Sequence, residues 1–132
     1  MRHVLLIRLL CLVVAIEFFA TPAWAYKREN RIPLVGCRGY FAASGAARYF
    51  AIRNVPKEKD REEILIEIHN VPLKPGTVLV VYIGEEAVGK ITLDAKQSGS
   101  LKRISDDRVA IQPIEPGATV FIKTVDGRLV MW

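Results

Sequence analysis

Histidine and cysteine are scarce in this chain, and their scarcity limits the chemistry available to it. The 132 residues include two histidines, His3 and His69, and two cysteines, Cys11 and Cys37. A metal site in a protein normally takes three or four ligands from such residues and from carboxylates. The chain also lacks a glycine-rich phosphate loop and the serine motif of a nucleophile elbow. We therefore expect no metal, no cofactor and no catalytic residue.

Long apolar runs are absent after the first 25 residues, which have a pattern of their own. Basic residues at the start, an apolar stretch and small residues ending at Ala25 predict a secretory signal peptide, residues 1–25. The alternative is an uncleaved membrane anchor, but Arg8 and Glu17 bound an apolar run too short to span a bilayer. We expect a mature chain that begins at Tyr26, has no transmembrane segment and is periplasmic or extracellular.

Positive charge is concentrated at the start of this mature chain. The full sequence has a net charge of +5. Between residues 26 and 53 the charged residues are Lys27, Arg28, Arg31, Arg38, Arg48 and Arg53, with Glu29 as the one carboxylate. This asymmetry predicts a basic N-terminal arm, residues 26–46, ahead of a folded domain, residues 47–132. Such an arm attracts phosphates, lipid headgroups or acidic glycans, although a solvated arm without a partner is the alternative.

Alternating apolar residues indicate β-structure throughout that domain. Glu62–Val71 places Ile64, Ile66 and Ile68 on one face, and Thr77–Ile83 is apolar on both faces. Further short strands are predicted at Ala47–Val55, Val88–Leu93, Leu101–Ile104, Arg108–Gln112, Ala118–Val125 and Arg128–Trp132. No mature segment has a sustained helical period. The sequence therefore predicts an all-β fold, an antiparallel β-sandwich or small barrel of about seven strands.

Two similar stretches punctuate these strands: PLKPGTVLVVYIG from residue 72 and PIEPGATVFIKTV from residue 113. Pro75 with Gly76, and Pro116 with Gly117, suit the second and third positions of a type II turn. We expect the two copies to form corresponding corners of two hairpin units that pack against each other. Coincidence is the alternative, because proline and glycine are common in the turns of all-β chains.

The dipeptide Asp126-Gly127 predicts a two-residue hairpin with a type I′ turn. In that register the facing pairs are Phe121 with Trp132, Ile122 with Met131, Lys123 with Val130, and Thr124 with Leu129. The face that carries Ile122, Leu129 and Met131 is the predicted core face.

The strand and turn patterns of EILIEIHNVPLKPGTVLVVYIGEEAVGKITL and of the terminal PGATVFIKTVDGRLV hairpin resemble those of small exported bacterial all-β proteins of uncharacterised function. The resemblance covers about residues 47–132. It implies the fold and an exported location, and it implies no catalytic residue. The chain departs from this pattern at Gly84–Glu86, where an Asn-Gly turn is expected.

Two surfaces are candidates for binding. The first interleaves cations with aromatic rings, namely Arg38, Tyr40, Phe41, Arg48, Tyr49 and Phe50. It predicts contact with an anionic envelope surface, unless the rings fill the core; nucleic acid is not expected as the partner of an exported protein. The second is the pair Phe121 and Trp132, which predicts a protein contact if exposed and nothing further if buried.

Cys37 is the one cysteine of the mature chain, so an intramolecular disulfide is not possible there. The thiol is buried, free, or joined to a second molecule in an intermolecular disulfide. With His69 it suggests an alternative function, a small thiol enzyme or hydrolase, which would also need His69 to approach the thiol and a third group to orient the imidazole. The sequence favours a non-catalytic exported binding or structural module.

Overall fold

The computed structural model describes residues 25–105, 111 and 113–132. Its eight strands are β1 (Tyr26–Val35), β2 (Ser44–Arg53), β3 (Arg61–His69), β4 (Val78–Ile83), β5 (Glu86–Thr92), β6 (Gly99–Ile104), β7 (Val120–Thr124) and β8 (Leu129–Met131). Sheet A has the order β1-β2-β3-β6 and sheet B the order β5-β4-β7-β8, and all pairs are antiparallel. The described residues contain no helix. The predicted all-β sandwich is confirmed.

The first half of the segment expected to be an arm forms strand β1. It pairs with β2 from Tyr26 opposite Arg53 to Val35 opposite Ser44. The predicted strand Arg108–Gln112, by contrast, lies almost entirely outside the described residues.

The side chains of β1 alternate between the core and solvent, but two of the inward ones are polar. Asn30 Nδ2 donates to the Ile114 carbonyl at 2.9 Å, and Arg28 forms an ion pair with Glu115. These contacts satisfy polar groups that apolar neighbours alone could not. They are the reason that this strand has no visible apolar period in the sequence.

The core lies between the two sheets. Ile64, Ile66 and Ile68 of β3 face it from sheet A, as predicted, and each has 1% exposure or less. Leu79 and Val81 of β4 face them from sheet B. Apolar and polar residues alternate in β3 because one face of the strand is buried and the other is solvated.

Hydrogen bonds also link the sheets to each other at both sides of the sandwich. Where β1 ends, the Val35 N–H donates to the Trp132 carbonyl at 2.9 Å, and the Trp132 N–H donates back at 3.1 Å. At the opposite side, Arg103 of β6 donates through Nε and Nη2 to the Val88 carbonyl of β5, at 3.0 and 2.7 Å.

Both Pro-Gly stretches form the predicted type II turns. The Thr77 N–H donates to the Lys74 carbonyl at 3.1 Å, and the Ala118 N–H donates to the Glu115 carbonyl at 2.9 Å. The third residue of each turn is a glycine with positive φ, 85° in one and 84° in the other. This is the backbone geometry that a type II turn requires.

The two turns lead into β4 and β7, which are neighbours in sheet B. An offset of 41 residues, which aligns the two stretches in the sequence, maps Val81 onto Ile122, and these residues lie directly opposite each other. The same offset maps Leu79 onto Val120 and Ile83 onto Thr124. In the sheet the partners are crossed, since Leu79 pairs with Thr124 and Ile83 pairs with Val120. The hairpins are thus related by a local twofold axis and lie side by side in one sheet, rather than face to face.

The predicted type I′ turn at Asp126-Gly127 is wrong. A type I′ turn needs positive φ at both residues, but of Asp126 and Gly127 only Gly127 has it, at 88°. The Thr124 N–H donates to the Arg128 carbonyl at 2.8 Å, which closes a three-residue loop. This is a type I turn followed by a glycine bulge. The Thr124 hydroxyl stabilises it by bonding the Asp126 carboxylate and accepting from the Arg128 N–H.

The bulge changes the strand register beyond it. Ile122 still faces Met131, as predicted, but Lys123 faces Leu129. Val130, expected opposite Lys123 on the outer face, is fully buried, and Leu129 is only partly buried.

Candidate functional site on the outer face of sheet A

Three of the six cations near the N-terminus are used by the fold. Lys27 pairs with Glu58 at 3.0 Å, while Arg28 pairs with Glu115 and Arg53 with Glu62. The other three are Arg31, Arg38 and Arg48, and none of them forms an ion pair within the described part of the chain. These three are the cations left for a partner.

Arg31 and Arg48 lie directly opposite each other on β1 and β2. Both are exposed on the outer face of sheet A, and residues in facing positions project to the same side of a sheet. Facing like charges destabilise a strand pair unless an anion lies between or beside them. We call Arg31 and Arg48 the arginine pair.

Two apolar side chains lie beside Arg48 on this face. Leu65 of β3 faces Arg48 from the other side, and Phe50 follows two residues later on β2. Both are partly buried although they point away from the core. Arg48 therefore lies above a partly dehydrated surface, where an electrostatic contact is stronger than in open water.

A shallow depression runs across the same face. Its lining consists of Glu29, Arg48, Phe50, Arg61, Glu63 and Leu65. The Arg61 Cζ lies 5.7 Å from the centroid of the Phe50 ring, within the range of a cation–π contact. The depression is open to solvent and mixed in charge, a form that suits a ligand lying across the surface better than a small enclosed substrate.

Tyr40 and Tyr49, two of the predicted binding residues, are core residues. They retain 8% and 4% exposure and belong to the main apolar cluster. Burial raises the pKa of the Tyr49 phenol. Their rings stabilise the sandwich and are not part of its exposed surface.

Arg38 and Phe41 lie in the turn between β1 and β2, away from the arginine pair. The Tyr40 N–H donates to the Cys37 carbonyl at 2.7 Å, and the Gly36 N–H donates to the Ala43 carbonyl at 3.2 Å. These bonds hold a tight turn from which Phe41 projects with 78% exposure. The interleaved motif of the sequence is thus divided among a turn, the core and a sheet face.

Phe121 and Trp132 have different surroundings. Phe121 is partly buried on the outer face of sheet B, where the Lys123 Nζ lies 5.6 Å from its ring centroid and 5.1 Å from that of Tyr82. Trp132 is 57% exposed, and it is hydrogen-bonded to Val35, which is 56% exposed. The exposed apolar residues at this edge are therefore Val35 and Trp132.

Cys37 and His69 are separated by β2. Ser44 on β2 pairs with Val35, two residues before Cys37, on one side and with His69 on the other. Two strand spacings of about 4.8 Å each therefore lie between Val35 and His69. Burial raises the pKa of the Cys37 thiol, which disfavours the thiolate that a nucleophile needs. Among the described residues, no three histidine, cysteine or carboxylate side chains are grouped to hold a metal ion.

Comparison with family models, with curated proteins and with solved structures found no match for this chain. In the part that the structure describes, no helix has the length and apolar character to cross a membrane.

The sequence pointed to Arg48 and its neighbour Phe50 but gave no reason to single out Arg31. Arg31 lies opposite Arg48 only because β1 pairs with β2. Strand β1 has no apolar period from which this pairing could be recognised. The signal that could have found Arg31 is the turn that Gly36 and Ala43 close. Pairing β1 with β2 residue by residue from that turn places Arg31 opposite Arg48.

Proposed function

We propose that this chain is an exported, non-catalytic binding module that recognises an anionic partner through the outer face of sheet A. The arginine pair is the observation that carries this proposal. Arg31 and Arg48 face each other, are exposed, and have no carboxylate partner among the described residues. An anion that accepts hydrogen bonds from both guanidinium groups removes their mutual repulsion.

Export is part of the same proposal. The basic, apolar and small-residue pattern of residues 1–25 supports cleavage after Ala25, and strand β1 begins at the next residue, Tyr26. Cleavage at that point leaves every strand of the sandwich intact. N-terminal sequencing of protein recovered from outside the cytoplasm is expected to begin at Tyr26.

A binding role also agrees better with the geometry around Cys37 than the thiol enzyme does. The thiol has a raised pKa, and His69 lies two strands away. We therefore expect Cys37→Ser to retain anion binding.

The test is retention on immobilised heparin, a polyanion, over a series of salt concentrations. We expect the double variant Arg31→Gln, Arg48→Gln to bind about tenfold more weakly than the unsubstituted protein, because charge-assisted hydrogen bonds are lost. Lys90→Gln is the control, since Lys90 is an exposed cation on β5 of sheet B. Equal retention of the double variant and the unsubstituted protein would refute the proposal, as would an equal loss in the Lys90 control.

A further inference from the structure

Among the described residues, no strand pairs with strand β1 on one side over most of its length. Its far end is covered, because Val35 and Cys37 bond to Trp132 and Val130. Backbone groups of alternate residues point to the same side of a strand, so the N–H and C=O groups of Lys27, Glu29 and Arg31 also point away from β2. Within the described residues, none of these three forms a backbone hydrogen bond on that side.

Unpaired edges are templates for another strand, and the charges on this one favour a particular partner. We propose that two copies of the chain pair through β1 in antiparallel orientation about Asn30, which joins their A sheets into one. In this register Glu29 of each copy faces Arg31 of the other. Both residues direct their backbone groups to the free edge, so each facing pair also exchanges ladder hydrogen bonds.

Charge selects this register over its neighbours. An axis through Glu29 would place the two Glu29 carboxylates together and Lys27 against Arg31, and an axis through Arg31 would place the two guanidinium groups together. An axis at Arg28 would also give two opposite-charge pairs, Lys27 with Glu29, but Lys27 is already paired with Glu58 and the two Arg28 residues would face each other. The axis at Asn30 gives two opposite-charge pairs without a facing pair of like charges. Like charges directly opposite each other on a sheet are unfavourable.

The pairing also offsets the repulsion between Arg31 and Arg48 within one copy. Arg31 has Arg48 on one side and, in the part of the chain that the structure describes, no strand on the other. Glu29 of the second copy would fill that edge with a carboxylate at the facing position. Pro33, which has no N–H, faces Lys27 and ends the ladder there, so the interface is small and the dimer should be dependent on concentration.

This assembly goes beyond the proposed anion binding and stands without it. The test is sedimentation velocity of the purified full-chain protein, as processed by its host, over a range of concentrations. All proteins carry Cys37→Ser, so that an intermolecular disulfide cannot produce the dimer. We expect the sedimenting mass to rise from one chain to two as the concentration increases.

Charge reversal tests the register. Glu29→Arg and Arg31→Glu each place like charges opposite each other, and each is expected to weaken dimerisation about tenfold or more. The swap Glu29→Arg, Arg31→Glu restores opposite charges and is expected to restore the dimer. Lys90→Glu, on sheet B, should leave it unchanged.

A monomer at every concentration would overturn the proposal. A dimer that neither single reversal weakens would also overturn it, because another surface would then hold the two copies. A swap that remains monomeric although it is folded by circular dichroism would reject the register and, with it, the proposed pairing.

Discussion

Glycine is required at the third position of each Pro-Gly turn by backbone conformation alone. A Cβ atom at Gly76 or Gly117 would meet no heavy atom within 4 Å, so packing does not demand glycine. The φ angles of 85° and 84°, however, are costly for a residue with a side chain. The repeated motif therefore reports on geometry and not on a ligand.

Substitutions at Gly76 should follow the cost of positive φ. We expect Gly76→Ala to lower the free energy of unfolding by about 1–2 kcal/mol, because alanine is disfavoured in the left-handed region. Gly76→Asn should cost less, since asparagine tolerates that region better. Urea denaturation of the two variants measures the difference. Equal losses would show that something other than φ selects glycine here.

Asp126 should titrate below the usual range. The Thr124 hydroxyl donates to its carboxylate, and this hydrogen bond, with help from Arg128, lowers the Asp126 pKa. A lowered pKa in the folded state means that the carboxylate stabilises the hairpin above the ordinary value of about 3.9 and that this contribution is lost as the pH falls below it. NMR titration of the carboxyl carbon measures the pKa. Thr124→Val should raise the Asp126 pKa. An unchanged pKa would show that the Thr124 hydroxyl is not what lowers it.

At the scale of elements, the β7–β8 hairpin offers a direct test of register. The bulge buries Val130 completely and leaves Leu129 partly exposed. Val130→Ala should lower the free energy of unfolding by about 2 kcal/mol through loss of buried methyl groups. Leu129→Ala removes more atoms but should cost less. The opposite order in thermal or urea unfolding would support the two-residue turn and its register.

The strands that could be predicted from the sequence are those whose burial is one-sided. In β3 the isoleucines alternate with polar residues, and β4 and β7 follow a recognisable turn. Strand β1 could not be predicted, because its inward residues Arg28 and Asn30 bind Glu115 and the Ile114 carbonyl, which are more than eighty positions away. The bulge was equally hidden, since Asp126-Gly127 is compatible with both turns until the Thr124 hydroxyl is placed.

At the scale of the whole molecule, the fold sorts charges that the sequence presents as one cluster. Lys27, Arg28 and Arg53 are paired with carboxylates from distant segments. Arg31 and Arg48 come together only because β1 and β2 are adjacent and in this register. The sequence shows that these arginines are present, but their position side by side on one sheet face depends on tertiary structure.

Amide chemical-shift mapping can show whether an anion binds at the arginine pair and which residues it contacts. A heparin disaccharide would be titrated into isotope-labelled protein at low salt. We expect the shifts that change most to be those of Arg31, Arg48 and Phe50, on the outer face of sheet A. Changes centred on the Arg38 turn or on Lys90 of sheet B, or no saturable change at all, would show that the arginine pair is not the anion site.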